Sequence, residues 1–110
     1  MTINRLMTAV IQIQDVDATI EALHKAGFLV THIGSSGGFL GNRNSTLLIG
    51  LTAGQEEKAV KIMNETCRRR VEYVATPLEG APFHLPLTTP VTVGGATIFT
   101  LEVEHYEVVE

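Results

Sequence analysis

Residues 34–46, GSSGGFLGNRNST, set two large apolar side chains, Phe39 and Leu40, among glycines and small polar residues. At the tip of a solvent turn such a pair stands exposed unless something covers it. Successive backbone N–H groups around Gly37 and Gly38 could form a nest that binds an anion. The stretch is no P-loop, because no Gly-Lys-Ser/Thr follows. The plainer reading is a strand connection whose glycines supply positive φ and whose polar side chains are solvated. Yet the link spends about ten residues where two suffice for a hairpin. Asn44 stands at its foot, and a carboxamide that donates and accepts at once suits the edge of an adenine. The same side chain could instead close a turn on its own backbone. Thr31 is open to a similar choice between an exposed strand threonine and a hydroxyl contact to a ligand.

Other reactive residue types are sparse. Arg68, Arg69 and Arg70 form the one basic cluster, placed either to neutralise the C-terminus of a helix or to meet a phosphate. The four histidines show no HExxH spacing, and His32 and His105 fall on strands with no carboxylate or serine partner close in sequence. A lone cysteine, Cys67, excludes an internal disulfide and a multi-cysteine zinc site; on an apolar helix stripe it reads as a small buried hydrophobe. Gly94-Gly95, inside a β pattern, suggests a bulge or a place where another group nears the backbone. No acid–base pair, activated nucleophile or metal cluster emerges, so neither a catalytic residue nor a metal site is expected.

These residues need elements to position them. RLMTAVIQIQ is β-rich on both faces and opens the chain. DVDATIEALHKAG then carries Val16, Ile20, Leu23 and Ala26 at helical spacing, with Asp15 as N-cap and Gly27 ending the helix. Strands follow from Phe28 to about Gly34 and from about Ser45 to Leu51. Thr52 to Gln55 has the T-x-x-Q form of a capping box, opening a helix with Ala59, Val60, Met63 and Cys67 on one stripe. VEYVAT is a fourth strand. All four prolines lie between Pro77 and Pro90, which predicts an extended, ladder-free loop. A last strand region starts near Val91, breaks at Gly94-Gly95 and continues to Val109, with Phe99, Leu101 and Val103 on one face and Thr100, Glu102 and Glu104 on the other. The order β-α-β-β-α-β plus an extra C-terminal strand predicts an α+β, ferredoxin-like fold, one antiparallel sheet with both helices on one face. Alternation is poor, as at Leu47-Leu48-Ile49, so the uncovered face is also apolar and an oligomer is expected.

At 110 residues, 45% of them hydrophobic, the chain reads as a single globular domain over 1–110. A net charge of −4, from 8 basic and 12 acidic residues, argues against a nucleic-acid polymer as partner. No apolar run suits membrane insertion and the N-terminus lacks the regions of a signal peptide, so a cytoplasmic protein is expected.

Thr31 with SGGFL and Asn44-Ser45-Thr46, then NETC after the second helix, then VGGATIF near the C-terminus, together resemble the PII-like cyclic di-AMP receptor family, and the likeness spans the chain. It implies a non-catalytic, cytoplasmic signal-transduction protein without a cofactor. It further implies a PII-like homotrimer with a nucleotide pocket at each subunit interface. Two mobile connections, about 34–44 and 77–90, would relay ligand binding to a protein target. By that resemblance Thr31 would hydrogen-bond the ligand, Phe39 and Leu40 beside Gly38 would pack on an adenine, and Asn44 would read a base edge. Gly50 would let the ligand approach the third strand, and Phe99 would add aromatic packing. Where the family's receptors usually carry an arginine this chain has Leu29; Gly27 and Val108 replace other polar contacts. A sibling that binds another nucleotide or a small anion is the alternative, and a small trimeric enzyme using His32 or His84 is a third.

Overall fold

Burial alternates along the first strand, β1 (Arg5–Gln12): Met7, Ala9 and Ile11 are buried, whereas Leu6, Thr8 and Val10 are only partly covered. The computed structural model describes residues 2–39, 42–77 and 86–110. After β1 come a 3-10 turn (Ile13–Asp15), α1 (Val16–Lys25), β2 (Leu29–Phe39), β3 (Asn42–Leu51), α2 (Glu56–Thr66), β4 (Arg70–Pro77), β5 (Pro86–Val93) and β6 (Ala96–Glu102). Four strands form an antiparallel sheet in the order β2-β3-β1-β6, and β4 with β5 forms a separate two-stranded ribbon. The fold is α+β with ferredoxin-like character.

The core lies between the helices and one sheet face. Met7, Ala9 and Ile11 of β1 and Leu47, Ile49 and Leu51 of β3 pack with Val16 and Leu23 of α1, Ala59 and Met63 of α2, and Phe28 and Cys67. A polar seam joins the helices: the Thr19 hydroxyl donates to Thr66 Oγ1 at 2.8 Å, which donates in turn to the Ile62 carbonyl, and Cys67 Sγ lies 3.2 Å from Thr19 Oγ1. Burial of Cys67 in this seam agrees with its place on the helical stripe.

Helix ends follow local chemistry in part. Gly27 takes φ +90° after α1; its N–H donates to the His24 carbonyl and that of Phe28 to the Leu23 carbonyl, the paired bonds of a Schellman ending. At the other end Asp15 occupies the N-cap position but caps no N–H. Its carboxylate accepts from Arg70 at 2.8 Å instead, since a guanidinium is the stronger donor and the preceding 3-10 turn leaves Asp15 outside the extended cap geometry. The Thr52–Gln55 box forms by half. Gln55 Oε1 accepts from both the N–H and the hydroxyl of Thr52, while among the described residues Thr52 Oγ1 accepts no backbone N–H in return.

Three expectations from the sequence are corrected. The strands form two sheets and not one, with VEYVAT in the ribbon, and Val91 to Val109 divides into β5 in the ribbon, β6 beside β1 in the sheet, and an irregular segment from Val103 onward. Strand pairing extends through much of the 34–44 connection: β2 runs to Phe39 and β3 starts at Asn42, with register shifts at Ile33/Ser36 and Ser36/Phe39. Irregular pairing of this kind absorbs glycines without ending the ladder. The proline-rich segment is likewise strand from Pro86, with Pro86 opposite Pro77 and Pro90 opposite Tyr73. Both strands of a two-stranded ribbon are edges, where a residue lacking an N–H costs no bond if it faces outward.

Candidate functional site

The sheet face away from the helices is open, and its rows follow from the register. Leu29, Gly50, Leu6 and Leu101 stand abreast, then Thr31, Leu48, Thr8 and Phe99, then Ile33, Thr46, Val10 and Thr97. Leu29, Phe99 and Leu101 are 56%, 57% and 56% exposed, a large apolar surface for so small a chain.

Two hollows occupy opposite ends of this face. The first, about 280 Å³, is walled by Leu6, Leu29, Thr31, Leu48, Gly50 and Tyr106, and among the described residues no charged side chain borders it. Ile3 leans over Gly50, where an added Cβ would stand 3.1 Å from its Cδ1. The close approach that Gly50 permits within the chain is therefore that of Ile3. The second hollow, about 190 Å³, is polar; Gln12, Asn44, Arg69, Gly94, Gly95 and Thr97 are among its walls. It lies where β1 ends, where β3 and β6 begin, and at the root of the β4–β5 ribbon. At the usual strand rise, Gly50 and Asn44 stand about 20 Å apart along β3.

The residues singled out from the sequence thus fall into groups. Thr31 and Gly50 share the first hollow, Asn44 belongs to the second, and Phe99 stands exposed at the β6 edge, in the row of Thr31. Gly38 and Phe39 lie at the far end of β2, with Phe39 paired to Asn42; the Phe39 side chain and the whole of Leu40 are outside the described residues. Gln12 and Thr97 were not anticipated, because an alternating strand pattern marks which face a residue takes and not what gathers beside it.

The arginine triplet also divides. Arg70, expected at the end of α2, opens β4 and bonds Asp15 at 2.8 Å, Glu72 at 3.1 Å and the Arg68 carbonyl at 3.0 Å. The hydrogen bond it donates to Asp15, and then that to Glu72, hold its guanidinium above the usual arginine value. Arg69 instead borders the polar hollow. His32 has a partner distant in sequence: its Nε2 lies 2.7 Å from the buried Ser45 hydroxyl across the β2–β3 hairpin. Among the described residues no group of three His, Cys, Asp or Glu side chains could hold a metal ion, and no helix is long and apolar enough to cross a membrane.

A ferredoxin-like sheet with an open apolar face and hollows at both ends defines a small α+β binding protein. A family model describing cyclic-di-AMP receptors matches residues 4–109, and the chain belongs to that family of nucleotide-binding signalling proteins. Among solved structures it is similar to a functionally unknown protein from Pediococcus pentosaceus, with a TM-score of 0.76 and 25% identity over 99% of this chain and 100% of that one. A DUF3240 family protein from Shewanella baltica shares the fold at a TM-score of 0.59 and 11% identity, with 100% of each chain covered.

Proposed function

We propose that the protein is a non-catalytic sensor that binds an adenine nucleotide, cyclic di-AMP, at the interfaces of a homotrimer and relays occupancy to a protein target. Thr31, Gly38, Phe39, Leu40, Asn44, Gly50 and Phe99 form the pocket: Phe39, Leu40 and Phe99 pack on the bases, Asn44 reads a base edge, and Thr31 supplies a hydroxyl. The 34–44 and 77–90 segments carry the relay.

The observation that carries this reading is the open sheet face. Its exposed leucines and Phe99 need a cover, and a second copy of the chain is the symmetric solution. The spacing of the site residues favours the same arrangement. Thr31, abreast of Leu48, and Gly50 lie about 14 Å and about 20 Å along the strand from Asn44, more than one purine spans. Neighbouring subunits that each present a different end of the face bring both groups to one ligand. The family match over 4–109 supports the choice of nucleotide.

Calorimetry with cyclic di-AMP, cyclic di-GMP, AMP and ATP, run beside light scattering, tests the reading. Saturable cyclic di-AMP binding at one ligand per chain, to a particle of three chains and without turnover, is the expected outcome. A monomer, or preference for another ligand, overturns it.

A further inference from the structure

We infer that the polar hollow at the root of the β4–β5 ribbon is an oxyanion subsite in which Arg69 takes a phosphate of the bound nucleotide. The inference rests on the nucleotide-binding reading and adds a residue to it.

Three adjacent arginines have different fates. The Arg70 guanidinium is spent on Asp15, Glu72 and the Arg68 carbonyl, while the Arg68 side chain walls neither hollow. Arg69 pairs with no carboxylate among the described residues, and no acidic residue borders its hollow. Its head is nevertheless held against the chain: Nη2 and Nε lie 3.7 Å and 3.9 Å from the place a Cβ on Gly95 would take. The guanidinium thus lies beside Gly95 at the border of the hollow, and its planar fork of donors suits phosphate oxygens.

The neighbouring amide is oriented to match. Gln12 Oε1 accepts the Gly94 N–H at 2.8 Å, so its acceptor is engaged and the NH₂ group remains, two donors that no described residue takes. Asn44 stands opposite Gln12 in the β1–β3 register, and Thr97 is a further residue of the wall. The hollow therefore joins one unpaired cation to several neutral donors, the composition an anion needs. The opposite hollow, with Leu29 in its wall, offers no charge. Of these two hollows, the one that can neutralise a phosphate is the one beside Arg69.

The test titrates cyclic di-AMP, AMP and inorganic pyrophosphate into the wild-type chain, Arg69→Met and, as a neighbour with the same change in charge, Arg68→Met, each at several salt concentrations. Matching thermal midpoints establish that the variants fold. Arg69→Met is expected to weaken cyclic di-AMP binding about tenfold to a hundredfold and to flatten its salt dependence, with Arg68→Met close to wild type. Loss with AMP and pyrophosphate as well would mark a general phosphate subsite, and loss with cyclic di-AMP alone one fitted to the phosphodiester; either supports the inference. Unchanged affinity in Arg69→Met, or an equal loss in Arg68→Met, overturns the subsite while leaving the nucleotide reading in place. A wild-type chain that binds no nucleotide overturns both.

Discussion

Two constraints meet at Gly94: φ is +93°, and a Cβ there would collide with the Arg68 carbonyl. Gly94→Ala is expected to cost about 2–4 kcal/mol, read as a lower urea midpoint at unchanged slope. The strand pattern made the glycine pair legible as a break or close approach; that the approaching group is the end of α2 depends on tertiary packing. At the proposed ligand contacts, Phe39→Ala and Asn44→Ala should each weaken nucleotide binding by about 1–3 kcal/mol by calorimetry, with little change in the urea midpoint. Leu29→Arg adds a charge at the wall of the uncharged hollow and is expected to tighten cyclic di-AMP binding by up to about tenfold to a hundredfold. Tighter binding in Leu29→Arg and weaker binding in Arg69→Met would together indicate that this chain keeps its phosphate contact at a different end of the sheet face.

Local signals located most of the elements. Gly27 and the spacing of Val16, Leu23, Ala59 and Met63 defined both helices, because capping and a 3.6-residue period act within a few positions. Strand partners were less legible. Both VEYVAT and ATIFTLE have the composition to pair with β1, and nothing in either segment records that the ribbon takes one and the sheet the other. Asp15 and Arg70, 55 residues apart, each look like a local helix-end charge in the sequence, although they bond each other. This pair ties the start of β4 to the start of α1. Asp15→Ala is expected to destabilise the fold by about 1–3 kcal/mol, less than for a fully buried ion pair because the Arg70 side chain is 27% exposed and keeps Glu72. Amide exchange should quicken at residues 70–73 and hold steady in β1. In the unliganded protein the amides of 34–39, paired in broken register on one hairpin, should exchange faster than those of 46–51 at the centre of the sheet.

The whole chain is elongated, 63 Å by 25 Å by 21 Å, with a radius of gyration of 17.9 Å where a compact chain of this length has about 13 Å. Light scattering should give three times the 11.9 kDa chain mass, and Leu101→Glu, which sets a charge in the open face, should shift the particle toward monomer while each chain keeps its helical circular dichroism. The β4–β5 ribbon makes little contact with the other elements, and Val71 and Tyr73 near its base are exposed. Its attachment is concentrated at one end, through the Asp15–Arg70 pair and the bonds from Gly94 to Gln12 and from Gly95 to Cys67. Among the described residues the ribbon thus has the geometry of an arm whose root adjoins the polar hollow. A rotation of about 10° at the root would sweep the far end of β4 through about 4 Å at the usual strand rise.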